Sequence, residues 1–284
     1  MKSVSLPAAF PLLARVVGGL RATVTALPRP RRAPARCGDG AGHIALVGAG
    51  PGARDLLTLR AVARIGAADV IFYDRLVDPA ILDLARPGAR CVYVGKEVGN
   101  CAWPQDQIDR MIVDEAGRGH RVVRLKSGDP SIFGRACEEI AAARAAGIAV
   151  ELVPGITAAS AAAASLCRPL TERGETDTFV ISTGTCKPGD AAPDRAALAR
   201  PGTSVAFYMA VERAARVQAD LLAAGAPAAC PVDIVASAST PSERFAATTL
   251  GALTETIARE GLKSPAILFV RYPKSLAAAR DRAA

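Results

Sequence analysis

A glycine-rich turn at Gly48-Ala49-Gly50-Pro51-Gly52 follows the apolar run His43-Ile44-Ala45-Leu46-Val47 and precedes the helix-like stretch Leu56-Leu57-Thr58-Leu59-Arg60-Ala61-Val62. A strand, a glycine turn and a helix in that order constrain the fold strongly. Glycine admits positive φ and carries no Cβ, so main-chain groups can line a pocket at the carboxyl edge of a parallel sheet. The turn therefore predicts a nucleotide-like ligand without saying which. The dinucleotide pattern G-x-G-x-x-G would need glycine at position 53, where Ala53 stands, and Pro51 removes a donor where a pyrophosphate would need one. An NAD-dependent dehydrogenase remains one alternative on this feature alone.

The 284 residues suffice for one large or two ordinary domains with a sizeable core. Charged residues or proline interrupt every apolar run before it reaches the length of a membrane span, so a soluble chain with no membrane partner is expected. The net charge of +8 is unevenly placed. Residues 1–42 hold Lys2, Arg15, Arg21, Arg29, Arg31, Arg32 and Arg36 against Asp39, which leaves the rest near neutrality and argues against a nucleic-acid partner. That segment reads as a disordered basic extension, either an organellar transit peptide or a non-functional extension from an upstream start codon, outside the fold. The seven cysteines include no C-x-x-C, and His43 and His120 are the only histidines, so no metal site is expected. The cysteines read as reduced small hydrophobes in a cytoplasmic setting, and His120 as a solvated turn residue.

From position 43 short apolar runs alternate with helical stretches, the pattern of βα units around a mostly parallel sheet. Strands are predicted at 43–47, 68–73, 90–94, 121–125 and 149–153. Their following loops, Gly48 to Gly52, Asp74-Arg75, Gly95-Lys96, Lys126 to Pro130 and Pro154-Gly155, should meet at one edge, where ligands of open α/β sheets bind. A second set is predicted at 178–182, 203–208, 231–236, 244–249 and 266–270. The short link between 236 and 244 implies an antiparallel pair and a mixed sheet. The expected organisation is an α/β fold with a first domain over 43–167 and a second over 168–284. The alanine run Ala158 to Ala164 is expected to be a closely packed helix at the junction.

Several segments, in order, carry a resemblance: Val47 to Gly52, Leu56 to Leu59, Tyr73-Asp74-Arg75-Leu76-Val77, Val94-Gly95-Lys96, Pro104-Gln105, Val122 to Pro130, Ile132-Phe133-Gly134-Arg135 and Val153 to Ser160. Together, over about 43–272, they resemble the uroporphyrinogen-III C-methyltransferases, S-adenosylmethionine-dependent enzymes of the tetrapyrrole methylase family. The resemblance implies the two-domain tetrapyrrole-methylase fold with its active site in the interdomain cleft, S-adenosyl-L-methionine as methyl donor, and a homodimer. It implies methylation of uroporphyrinogen III, through precorrin-1, at C2 and C7 to precorrin-2, for sirohaem or cobalamin synthesis. It also implies Asp74 as proton acceptor and Lys96 as proton donor. Cofactor contacts fall at Pro51, Ser127, Gly128, Asp129, Ile132, Thr157 and Ala158, with Met209 and Ala238 from the second domain. Arg75, Arg124, Lys126 and Arg135 are the candidates for pairing with substrate carboxylates, since a guanidinium suits bidentate carboxylate contact.

Ser127, Ser131, Ala136-Cys137, Ala53, Glu172 and Ala210 stand where the family usually has other residues. Alternatives are a later precorrin C-methyltransferase on the same fold and a non-catalytic tetrapyrrole-binding relative. For Asp74 and Lys96 the plain alternative is a structural salt bridge. Met209 by composition alone would be a core residue, and Trp103 either covers substrate or packs.

Overall fold

The computed structural model describes residues 42–95, 103–186, 189 and 193–283. The first sheet contains β1 (His43–Gly48), β2 (Val70–Tyr73), β3 (Arg90–Tyr93), β4 (Arg121–Lys126) and β5 (Ala149–Val153), in the order β3-β2-β4-β1-β5 with every pair parallel. The second contains β6 (Thr178–Thr183), β7 (Thr203–Tyr208), β8 (Pro231–Ala236), β9 (Arg244–Thr249) and β10 (Ala266–Tyr272), in the order β6-β7-β10-β8-β9. Only β6 and β7 are parallel there; β8 and β9 form the expected antiparallel pair, with Pro231 opposite Thr249. All ten predicted strands are present. β2 starts at Val70 rather than at residue 68 because the Ala68 N–H caps the preceding helix on Ile65 O, while the Asp69 carboxylate takes the Arg121 N–H and side chain.

The helices are α1 (Leu59–Ala67), α2 (Gln105–Gly117), α3 (Ala136–Ala145), α4 (Ala158–Ser165), α5 (Ala214–Ala223), α6 (Leu253–Glu260) and α7 (Lys274–Ala283). α1 begins later than the sequence pattern suggests. Residues 54–56 form a single 3-10 turn, and the Thr58 hydroxyl then caps the helix by accepting from the Ala61 N–H at 3.1 Å. The first sheet is covered on both faces, as a parallel sheet must be. One face packs Val123 and Leu125 against Ala61 and Ile65 of α1; the other packs Val122 against Ile108 and Ile112 of α2 and Ala143 of α3.

The alanine run is a helix, and it packs on the second sheet. Ala159, Ala162 and Ala163 of α4 meet Ala206, Val235, Ile267 and Phe269, while α5 and α6 cover the opposite face. Small side chains let this helix approach closely and form the seam between the sheets. Just beyond it, Arg168 donates to the buried Asp233 of β8 at 3.0 Å, and Arg271 of β10 pairs with the same carboxylate at 2.6 Å. No helix among the described residues is long and apolar enough to cross a membrane. Residues 1–41, including the basic segment, lie outside the described residues.

Two side readings need correction. Of the described cysteines only Cys230 is buried; Cys91, Cys137, Cys167 and Cys186 are exposed, so packing explains just one of them. His120 is not simply solvated, because its Nδ1 lies 2.7 Å from the largely buried Glu115 carboxylate.

Candidate active site

Parallel strands deliver their carboxyl ends to one edge, and three glycine loops meet there. The Gly50 N–H donates to Gly128 O at 3.2 Å, and the Gly128 N–H returns a bond to Gly50 O at 2.6 Å. Both residues have positive φ, near 70°, which glycine adopts without a Cβ clash. Gly155 closes the stack: a Cβ there would sit 2.2 Å from Gly128 O and 2.9 Å from Gly48 Cα. The glycines are thus needed for backbone-to-backbone contact between loops. Because the Ala49 and Gly50 N–H groups are spent on Lys126 O and Gly128 O, the turn has little left to offer a pyrophosphate.

Beside this stack lies a cleft of about 690 Å³. Leu56, Ile132, Ile156 and Ala161 supply apolar wall, Ser131, Thr157, Ser160, Ser165 and Ser239 supply hydroxyls, and Asp129 supplies the charge. No lysine or arginine is among the described residues that line it. Its contents suit a nucleoside whose charge is positive and which carries no phosphate. Asp129 is itself held: Oδ2 accepts from the Gly155 N–H at 3.0 Å, and Oδ1 accepts from the Ser131 N–H at 2.8 Å and from the Ser131 hydroxyl. Ser131 therefore anchors the carboxylate whose loop it follows.

The second half contributes Ser239 to the cleft, and Tyr208, at the end of β7, braces Thr157 of its wall. The Tyr208 hydroxyl accepts from the Ala159 N–H at 2.8 Å and lies 2.5 Å from Thr157 Oγ1, tying β7 to the start of α4. Burial pushes the Tyr208 phenol upward from its ordinary value, which keeps it neutral and able to donate. The Phe133 ring packs against it at a tilt of 57°, with ring centroids 5.4 Å apart. Phe133, Arg135, Met209, Ser237 and Ser239 all adopt positive φ, between 51° and 61°. Non-glycine residues held there are strained, and of these Ser239 lines the cleft itself.

Of the expected cofactor residues, Asp129, Ile132 and Thr157 line the cleft. Gly128 belongs to the glycine stack and Ser127 precedes it; Ala158 opens α4. Pro51 sits in the turn whose next residue, Gly52, packs against Ser239 O and Thr240 of the second half. Ala238 is buried beside them. Met209 is nearly half exposed and faces Thr185 Oγ1 at 3.9 Å, so it is no core residue.

Asp74 follows β2 with one-third of its side chain exposed, and both oxygens accept from one nitrogen of Arg124, at 2.7 and 2.8 Å. Among the described residues its partner is Arg124 and not Arg75; Lys96 lies outside the described residues. Arg75 is exposed. Arg135 is also exposed and pairs with Glu138, which holds its guanidinium above the ordinary value.

Arg124 and Lys126 correct the expectation that they clamp substrate carboxylates. They occupy alternate positions on β4 and so share one face, directed at α3. Arg124 is 2 % exposed, with Nε donating to Glu139 at 3.0 Å, one terminal nitrogen to Phe72 O and Leu125 O, and the other to Asp74. Lys126 is buried and donates to the same Glu139 at 2.8 Å. Burial, then the neighbouring Arg124, lowers the Lys126 amine below its ordinary value, opposed by Glu139. Two cations facing into a helix-covered sheet require a buried acid, and that alternation was the available signal for Glu139. Tyr208 offered no comparable signal. Trp103 is 40 % exposed, which removes core packing as its explanation.

The chain is similar to known proteins over most of its length. Residues 43–254 match the tetrapyrrole (corrin/porphyrin) methylases. A siroheme synthase of Chromobacterium violaceum is 44% identical over 260 residues, 92% of this chain and 55% of that protein. A siroheme synthase of Methylococcus capsulatus is 44% identical over 230 residues, 81% of this chain and 48% of its own length. The chain thus spans about half the length of these curated relatives. Among solved structures, the uroporphyrin-III C-methyl transferase of Thermus thermophilus complexed with S-adenyl homocysteine superposes with a TM-score of 0.70 at 38% identity, covering 81% of this chain and 97% of that one. A cobalt precorrin-4 methyltransferase has a TM-score of 0.72 at 24% identity, a likeness of fold alone.

Proposed function

The chain belongs to the tetrapyrrole (corrin/porphyrin) methylases, and from that premise we propose that it is an S-adenosyl-L-methionine-dependent uroporphyrinogen-III C-methyltransferase. It methylates C2 and then C7, releasing precorrin-1 as the intermediate and precorrin-2 as the product, for sirohaem or cobalamin synthesis. The observation that carries this reading is the near full-length correspondence, at 38% identity, with the Thermus thermophilus enzyme. The ligand bound to that enzyme is the demethylated form of the proposed donor.

S-adenosylmethionine, when bound, supplies a methyl group on a cationic sulfur, open to attack by an electron-rich pyrrole carbon. The chain's residues contribute orientation and proton handling. Ile132, Thr157 and the apolar wall enclose the nucleoside, and Asp129 presents the negative charge in the cleft. Pro51, Ser127, Gly128, Ala158, Met209 and Ala238 complete the cofactor side in this reading. The methylated carbon bears no hydrogen, so Asp74 accepts the proton that the substrate loses elsewhere in its ring system as the new C–C bond forms and the C–S bond of the donor breaks. Arg124 keeps the Asp74 carboxylate aimed. Lys96 acts as proton donor. Arg75 and Arg135, both exposed, pair with substrate acetates and propionates in this reading. The enzyme works as a cytoplasmic homodimer, a setting that fits the free thiols. In this reading the first half runs over 43–167 and the second over 168–284.

The test supplies methyl-labelled S-adenosylmethionine and uroporphyrinogen III under anaerobic conditions. Label entering the tetrapyrrole fraction supports the assignment, and label confined to the donor refutes it.

A further inference from the structure

The buried charges beneath Asp74 assign a job to a residue outside the expected site. Glu139 is completely buried in the first turns of α3, and its Oε1 accepts from both Arg124 Nε and Lys126 Nζ. The three nitrogens of Arg124 reach Glu139 from Nε, Phe72 O and Leu125 O from one terminal nitrogen, and both oxygens of Asp74 from the other. A guanidinium is planar and rigid, so fixing Nε and one terminal nitrogen also fixes the other. The orientation of the Asp74 carboxylate is therefore inherited from Glu139.

We propose that Glu139 is a positioning residue for methyl transfer, acting on Asp74 through Arg124. The four side chains Asp74, Arg124, Glu139 and Lys126 alternate in sign and sum to zero, which is how a group of buried ions avoids an uncompensated charge. Glu139 balances two cations on β4 at once. Its other oxygen, Oε2, is buried without a hydrogen-bond partner among the described residues. A carboxylate left half-satisfied in a core is costly. Simple packing would favour an apolar residue here, whereas an aimed Arg124 requires the acid. The inference rests on the methyltransferase reading, because it needs Asp74 to act on the substrate.

The experiment compares wild type with Glu139→Gln, which keeps the shape and removes the charge. Turnover should fall roughly 10- to 100-fold, the usual consequence of a small misplacement of a reacting group. KM for S-adenosylmethionine should stay within about twofold, since Asp129 and the cleft wall are untouched. In a crystal structure of the variant, Arg124 should no longer donate to both oxygens of Asp74. A folded Glu139→Gln protein with wild-type turnover, or with both of those hydrogen bonds intact, overturns the proposal. Should this variant not fold, Glu139→Asp keeps the charge but is one methylene shorter, and the same losses are expected of it; full activity there would be equally fatal. Absence of methylation by the wild type would instead sink the functional reading, while the variant's geometry would still judge the positioning role.

Discussion

Asp74 has a partner that no motif announces, and this changes what its replacement should do. Asp74→Asn keeps size but loses basicity, so turnover should drop by roughly 100-fold to 10,000-fold, the usual worth of a general base. It also leaves a nitrogen of the buried Arg124 without its carboxylate, so stability should fall by about 1–3 kcal/mol. Kinetics and melting on one preparation separate the effects, and near-normal turnover of the folded variant would remove Asp74 from the chemistry. Asp74 itself was legible from the sequence because it ends a strand in a distinctive motif. Its environment was not. Arg124 and Lys126 read as free cations until the strand's alternation is combined with the knowledge that α3 covers that face.

At the level of elements, strand positions were readable because apolar runs bounded by glycine, proline and charge occur where a parallel sheet needs them. Contacts between distant loops were harder to read. Gly155 appears in the sequence as an ordinary turn glycine, yet it lies against Gly128 O and Gly48. Gly155→Ala should cost about 1–3 kcal/mol from overpacking and displace the cleft floor. Calorimetric binding of S-adenosylhomocysteine should weaken together with the melting temperature, and an unchanged pair of values would show that the loops adjust freely. Tyr208 joins β7 to α4 through one hydroxyl. Tyr208→Phe should lose about 1 kcal/mol per hydrogen bond and bind the same ligand several-fold more weakly; unaltered affinity would restrict that hydroxyl to a structural role.

Across the whole molecule, a second set of ion pairs fastens the opposite edge of the first sheet. Arg121, assisted by Arg86, holds the Asp69 carboxyl far below the usual range, and Arg90, with His120, depresses Glu115. When a carboxyl is depressed in the folded state, the unfolded chain takes up protons first on acidification. The stability from these pairs is thus complete above about pH 5 and lost progressively below about pH 4. Urea midpoints measured down that range should fall, and Asp69→Asn should flatten part of the slope; an identical slope in the variant would place the acid sensitivity elsewhere. The mixed second sheet and the shared cleft were foreseeable from strand spacing and the family resemblance. The packing of α4 on the second sheet was not, because an alanine helix has no apolar stripe to show which neighbour it faces. All of these features bear on catalysis only if the cleft transfers methyl groups to a tetrapyrrole carbon. The most direct measurement is mass analysis, over time, of uroporphyrinogen III incubated with the enzyme and excess S-adenosylmethionine. The account predicts a transient product with one added methyl, followed by one with two and a matching yield of S-adenosylhomocysteine. Recovery of only unmethylated substrate from folded protein that binds S-adenosylhomocysteine would contradict it.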